Sequence, residues 1–182
     1  MTDKERLNKI ATAFFIESQS DRASVSVLIK NKQYNHAVYH AQQSIEKLLK
    51  ACLAAEGKIG IYKHEIFSFF KETIGDKFKE NEMKVLINSI PELEEEWSAT
   101  RYPGWEGEEI WIPSEEYTVD DAKEMKSRME TSSKALKKFR INLDLRIEPL
   151  PIKPEDFIEE NPIVSEILSN AIPISVQSGQ AT

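Results

Sequence analysis

Residues 34–53 read YNHAVYHAQQSIEKLLKACL, and this stretch decides the fold. At 100° per residue its apolar side chains fall mainly on one face, which predicts an amphipathic helix from about Tyr34 to Glu56. Gly57 and Gly60 follow it, as glycines often do where a helix ends. The stripe predicted to face the core comprises Ala37, Ala41, Ile45, Leu48, Cys52 and Ala55, widened by Val38, Leu49 and Leu53.

A polar stripe runs beside the apolar one on the same predicted helix. It consists of His36, His40, Gln43, Lys47 and Lys50, at steps of three or four residues. Imidazole, amide and ammonium groups in a line could hold a phosphate or a base in a groove, or they could be the polar shoulder of an amphipathic helix. His36 and His40 could also supply two zinc ligands, but no recognisable metal-ligand spacing supplies the others, and we expect no metal or other cofactor.

The rest of the chain predicts further helices. Helical periodicity extends over about 2–32, 65–74 and 80–97, and again from Thr118 to about 140. Pro91 should kink or end its helix near Ile90. Residues 98–117 hold two prolines and two glycines and are predicted to form the longest non-helical stretch. The fold class is therefore all-α, an up-and-down bundle of four or five helices.

The last forty residues differ from the bundle. Alternation of apolar and polar residues over 141–147 predicts a strand, prolines follow at 149, 151 and 154, and a short apolar segment from Val164 to Val176 can form a helix. We therefore predict two parts. Residues 1–142 form the bundle, and residues 143–182 form a partly extended, acidic, proline-marked tail.

Composition excludes several classes of protein. The chain has 182 residues, 40% of them hydrophobic and 30% charged, as expected for a globular protein, and no run approaches a membrane span. One cysteine, Cys52, and a polar N-terminus without a signal-type apolar core favour the cytoplasm.

Charge is unevenly distributed along the chain. The net charge of −7 divides into +3 for residues 1–91, −10 for 92–121, +5 for 122–142 and −5 for 143–182. The overall acidity therefore does not exclude a basic groove in the bundle. It does place carboxylates beside Arg101 in the sequence, where they are expected to repel phosphate.

Three segments together resemble one protein family. Residues 34–53 resemble the signature helix of HEPN domains. Residues 63–66 (KHEI) look like the entry to the family's third helix, and residues 101–104 (RYPG) look like its Arg-Tyr-Pro turn. They occur in family order and spacing, and the resemblance covers about residues 5–142.

This resemblance implies a homodimer with a cleft at its interface, small-nucleotide or RNA chemistry, and a minimal nucleotidyltransferase as partner, as in a toxin–antitoxin pair. Many HEPN proteins are metal-independent ribonucleases whose motif is Arg, four to six residues, then His. That motif is absent from this sequence. The matching residues that remain form a predicted ligand-binding set of His40, Gln43, Lys47, Lys50, His64, Arg101 and Tyr102.

Three functions follow as hypotheses. In the first, the chain binds a nucleotide or a nucleotidyltransferase-type partner through this set, in a regulatory or toxin–antitoxin role. In the second, it is a ribonuclease with a non-standard site, for which Arg101, His40 and His64 are the catalytic candidates. In the third, it is a non-catalytic interaction module whose acidic loop and tail mediate assembly.

Overall fold

The computed structural model of the protein describes residues 2–136, and these form the predicted all-α bundle. Its elements, in chain order, are α1 (Asp3–Lys30), α2 (Tyr34–Ala55), α3 (Phe67–Ile74), a 3-10 turn (Gly75–Lys77), α4 (Glu80–Ala99), β1 (Gly104–Glu106), β2 (Glu109–Trp111), α5 (Pro113–Glu116) and α6 (Val119–Ala135). The tail 143–182 and its boundary at residue 142 lie outside the described residues and stay predictions. None of the helices between residues 2 and 136 is long and apolar enough to cross a bilayer.

Two helices begin at a threonine that forms a capping box. The side chain of Thr2 accepts a hydrogen bond from the backbone N–H of Glu5, and the Glu5 carboxylate accepts one from the backbone N–H of Thr2. Thr118 and Asp121 repeat this arrangement at the start of α6. Each box satisfies N–H groups that have no partner within the helix, which fixes where the helix begins.

Helix α2 lies at the centre of the bundle, where it packs against α1, α3, α4, α5 and α6. The predicted apolar stripe is confirmed, because Ala37, Ala41, Ile45, Leu48 and Cys52 are all buried. Complete burial of a side chain such as Leu48 contributes about 1.5–3 kcal/mol relative to exposure. Since α2 contacts five other helices, its polar stripe is held at fixed positions relative to each of them.

Helix α4 continues through Pro91, so of the two predicted effects of this proline, a kink or an end near Ile90, the end does not occur. The helix spans Glu80–Ala99 with Pro91 in its interior. Pro91 has no N–H to donate to the carbonyl of Ile87. Both Pro91 and Ile87 lie on the solvent-exposed face of α4, where water can satisfy that carbonyl, so the lost hydrogen bond does not break the helix.

The predicted non-helical stretch 98–117 is shorter in the structure, because α4 extends to Ala99 and α5 occupies Pro113–Glu116. It contains the antiparallel hairpin of β1 and β2, in which Gly104 pairs with Trp111 and Glu106 with Glu109. The two-residue turn begins at Gly107, whose φ of +64° suits glycine at the first turn position. Strands of three residues are too short to produce a recognisable alternating pattern, which is why the sequence signal was missed.

Candidate functional site

The polar stripe of α2 divides between two buried carboxylates. The first is Asp21 of α1, which is 7% exposed. His40 Nδ1 lies 2.8 Å from Asp21 Oδ1, and Lys47 Nζ lies 2.6 Å from Asp21 Oδ2. The lysine contact is an ion pair rather than a well-directed hydrogen bond. The predicted ligands His40 and Lys47 therefore face a carboxylate within the protein.

The second carboxylate is Glu46, on α2 itself and only 5% exposed. Its oxygens accept hydrogen bonds from Lys50 Nζ at 2.7 Å, from Gln42 Nε2 at 2.9 Å and from Gln43 Nε2 at 3.2 Å. His64 Nδ1 lies 3.2 Å from Glu46 Oε2. The structure thus gathers three of the predicted ligands, Gln43, Lys50 and His64, around one buried negative charge.

The charge of Glu46 is stabilised by these neighbours. Burial raises the pKa of its carboxyl group, but the hydrogen bonds from Lys50 and Gln42, the positive charge of Lys50 and the contact with His64 together lower it below its ordinary value. Glu46 is therefore ionised at neutral pH. An ionised carboxylate at His64 Nδ1 fixes the orientation of the imidazole ring, as in hydrolase active sites.

The loop that carries His64 is tied to α4 by Glu94. Its Oε1 accepts hydrogen bonds from the backbone N–H groups of Ile66, at 2.7 Å, and Phe67, at 2.8 Å, where α3 begins. Burial raises the pKa of Glu94 despite these two bonds. Glu94 thus replaces a local cap for α3, which begins at Phe67 rather than near Glu65 as predicted.

An aromatic cluster joins His64 to Arg101. The imidazole of His64 stacks on the indole of Trp97, with ring centroids 4.2 Å apart and planes inclined by 13°. The guanidinium carbon of Arg101 lies 4.8 Å from the centre of that indole, 5.1 Å from the ring of Tyr39 and 5.0 Å from the ring of Tyr102. Arg101 Nε also donates to the carbonyl of Trp97 at 2.8 Å. Trp97 therefore contacts both His64 and Arg101.

Arg101 differs from the lysines in its charge environment. Lys47 and Lys50 each form an ion pair with a buried carboxylate. No carboxylate oxygen of residues 2–136 lies within ion-pair distance of Arg101, although acidic residues flank it in the sequence. The repulsion of phosphate by the carboxylates that flank Arg101 in the sequence stays a prediction, and the described residues place none of these carboxylates close enough to form an ion pair with the guanidinium.

The remaining predicted residues have different surroundings. His36 is exposed, and His40 is bonded to Asp21, so the two do not converge on a common point. Over residues 2–136 no group of three His, Cys, Asp or Glu side chains is arranged to hold a metal ion. Tyr102, which is 59% exposed, lies at the outer side of the Arg101 cluster.

Sequence reasoning missed four members of the site: Asp21, Tyr39, Glu46 and Trp97. One signal could have found Glu46, because it lies four residues after Gln42 and four before Lys50, a spacing at which helical side chains meet. Tyr39 also lies on α2, whereas Asp21 comes from α1 and Trp97 from α4. No periodicity within one helix could have placed Asp21 and Trp97 beside α2.

Comparison with known proteins identifies the family. The family model of the HEPN domain matches residues 12–139. A protein of Methanocaldococcus jannaschii named "Putative toxin MJ1304" is 36% identical over 135 residues, which are 72% of this chain and 88% of that protein. No solved structure shows significant similarity to the chain. The match and the helical architecture confirm the resemblance, and the chain belongs to the HEPN domain family.

Proposed function

We propose that this protein is a toxin-like HEPN protein whose Arg101 site binds the phosphate of a nucleotide or of RNA. One observation carries the proposal. Lys47 and Lys50 are paired with carboxylates, whereas Arg101 contacts aromatic rings and has no carboxylate partner among the described residues. The name of the Methanocaldococcus jannaschii relative supports the toxin-like role.

The chemistry of Arg101 suits a phosphate. A guanidinium presents its N–H donors in a planar fork that matches two phosphate oxygens, and it stays charged at all accessible pH values. Its Nε is already used by the carbonyl of Trp97, so its terminal nitrogens are the donors that remain for a ligand. The exposed ring of Tyr102, which also contacts the guanidinium, supplies a surface on which a base can stack.

Calorimetric titration tests the proposal directly. Wild-type protein is titrated with ATP and with a short single-stranded RNA, beside Arg101→Ala, Arg101→Lys and the control Arg6→Ala. Arg6 is exposed on α1, and its replacement removes the same charge. We expect Arg101→Ala to weaken binding at least about tenfold, Arg101→Lys to weaken it less, and Arg6→Ala to match wild type. The absence of heat with both ligands, or equal binding by Arg101→Ala, would contradict the proposal.

The partners belong to the same proposal. The family resemblance supports a homodimer and a minimal nucleotidyltransferase as partner. Light scattering after size exclusion measures the oligomeric state, and a monomer at micromolar concentration would refute the dimer. Co-expression with the product of the neighbouring reading frame, followed by co-purification, tests the second partner.

Ribonuclease activity is a second candidate function, and it rests on the contact of both His64 and Arg101 with Trp97. With Nδ1 beside Glu46, His64 can use Nε2 to take the proton of a 2′-hydroxyl. The 2′-oxygen then attacks phosphorus, and the bond to the 5′-oxygen breaks as that oxygen takes a proton from water to become a hydroxyl group. A 2′,3′-cyclic phosphate forms while Arg101 stabilises the added negative charge, and His64 returns its proton to the solvent.

Cleavage of a structured RNA in the presence of EDTA tests this second function. The variants are His64→Ala and Arg101→Ala, with His36→Ala as the matched control, because His36 is exposed and lies outside the aromatic cluster. We expect the first two to lose at least about a hundredfold in rate and the control to keep the wild-type rate. Cleavage that is equal in all four proteins would identify a contaminant and refute this function.

A further inference from the structure

The hairpin of β1 and β2 and the end of α4 enclose an open groove of about 520 Å³. Aromatic rings line it, those of Tyr102, Trp105 and Trp111, and Gly104 lies between them in β1. Trp105 is 78% exposed, an unusual position for the largest apolar side chain. Exposed aromatic surface beside a groove is typical of a binding surface for another protein.

The hairpin is fixed to the bundle at this groove. Trp111 Nε1 donates to the carbonyl of Ala99 at 3.0 Å, and the ring of Trp111 meets the ring of Tyr117 edge to face at 5.7 Å. Tyr117 in turn donates a hydrogen bond to Glu96 of α4. The groove is therefore formed by elements that are already positioned, so a ligand need not order them.

Like charges face each other at the tip of this hairpin. Glu106 and Glu109 are directly opposite across the two strands, and Glu108 lies in the turn between them. Like charges in a direct cross-strand pair destabilise a hairpin. All three carboxylates are exposed, and none forms an ion pair with a residue in the range 2–136. A bound cation would relieve this repulsion.

The backbone of the hairpin is also available. The sheet has two strands, so each strand has one edge with no strand beside it among the residues that the structure describes. Such an edge can pair with an added extended segment, whose main chain supplies hydrogen bonds while its side chains determine specificity. Gly104 leaves room at this position, since a Cβ there would meet no atom within 4 Å.

We propose that this groove, which we call the hairpin groove, binds an extended, arginine- or lysine-rich segment of a partner protein. Cationic side chains of the segment pair with Glu106, Glu108 and Glu109, and its remaining side chains contact the rings of Tyr102 and Trp105. Arginine is also attracted to the faces of those rings. Tyr102 contacts Arg101 as well, so a segment in the hairpin groove lies next to the Arg101 site. The proposal does not depend on what that site binds.

Fluorescence anisotropy with a labelled peptide tests the proposal on the full chain. The probe is a short peptide of alternating arginine and valine at physiological salt, and the control peptide has glutamate in place of arginine. We expect saturable binding of the first peptide and none of the second. Trp105→Ala removes an exposed ring, and Gly104→Leu fills the groove at a position where a side chain meets open space. Each should weaken binding at least about threefold.

A pair of charge-reversal variants distinguishes peptide binding in the hairpin groove from non-specific electrostatic attraction to an acidic protein. Glu109→Lys and Glu72→Lys change the net charge equally, and Glu72 is exposed on α3. We expect Glu109→Lys to weaken peptide binding about tenfold, because the new lysine pairs with Glu106, and Glu72→Lys to change it less than about twofold. Equal losses in the two variants would overturn the proposal. Wild-type affinity in both Trp105→Ala and Gly104→Leu would overturn it too, as would failure of wild-type protein to bind the peptide.

Discussion

Replacing Glu46 by glutamine keeps the shape of the side chain and removes its charge. In the native protein this carboxylate accepts hydrogen bonds from Lys50, Gln42 and Gln43, and it contacts His64. The side chain of Lys50 is 13% exposed, so in the variant a nearly buried ammonium loses its counter-charge. Removing one member of a buried ion pair costs about 3–5 kcal/mol, and the partial exposure of Lys50 argues for about 3 kcal/mol.

Urea unfolding followed by circular dichroism measures this loss, and the pH dependence identifies its cause. The pKa of Glu46 is lowered in the folded state, so the carboxylate stabilises the protein fully at pH values above the ordinary glutamate pKa of 4.5. As the pH falls through the folded-state pKa, Glu46 becomes protonated and this stabilisation disappears. The difference between wild type and Glu46→Gln should therefore be largest near neutral pH and shrink in acid.

Two further variants complete the test. Glu72→Gln neutralises an exposed glutamate of α3 and should change the stability by less than about 0.5 kcal/mol. Glu46→Leu combined with Lys50→Leu removes both charges and should be more stable than Glu46→Gln, since no unpaired buried charge remains. The reasoning fails if Glu46→Gln unfolds like wild type, or if its loss of stability is the same at pH 3 as at pH 7.

Three other changes probe the helices and the core. Pro91→Ala should raise the free energy of unfolding by about 2 kcal/mol in urea titrations, because the new N–H can bond the carbonyl of Ile87 within α4; an unchanged or lower value would contradict this. Thr118→Ala should lower it by about 1 kcal/mol and let the pKa of Asp121, which hydrogen bonds from Thr118 hold below its ordinary value, rise in NMR titrations. Burial raises the pKa of the Cys52 thiol to about 12, so Ellman's reagent should label Cys52 in urea but not in the native protein.

Most of the helical architecture could be predicted because the signals are local. The apolar stripe of α2 and the capping residues Thr2 and Thr118 act through neighbours within one or two helical turns. Pro91 shows the limit of such signals. Its effect on α4 depends on whether the carbonyl of Ile87 faces water, and that is decided by how the whole helix packs.

The candidate site was predicted only in part, for an equally physical reason. The sequence indicates that Lys47 and Lys50 share a face of α2, but it does not reveal which acidic side chains are buried beside them. Asp21 reaches Lys47 from another helix, so the pairing exists only once α1 and α2 pack together. The sequence suggests that these lysines are free to bind an anionic ligand. In the folded protein they are instead paired with buried carboxylates.

The packing of Arg101 has a thermodynamic consequence for any ligand. A free arginine side chain loses up to about 2 kcal/mol of rotamer entropy when it is immobilised. Here three aromatic rings and the Nε hydrogen bond to Trp97 hold the side chain before a ligand arrives, so that entropy is lost during folding instead. The loss of Arg101 rotamer entropy therefore lowers the stability of the folded protein rather than its affinity for a ligand. Substitutions at Tyr39 or Tyr102 should accordingly weaken the proposed phosphate binding although they leave every N–H donor of Arg101 in place.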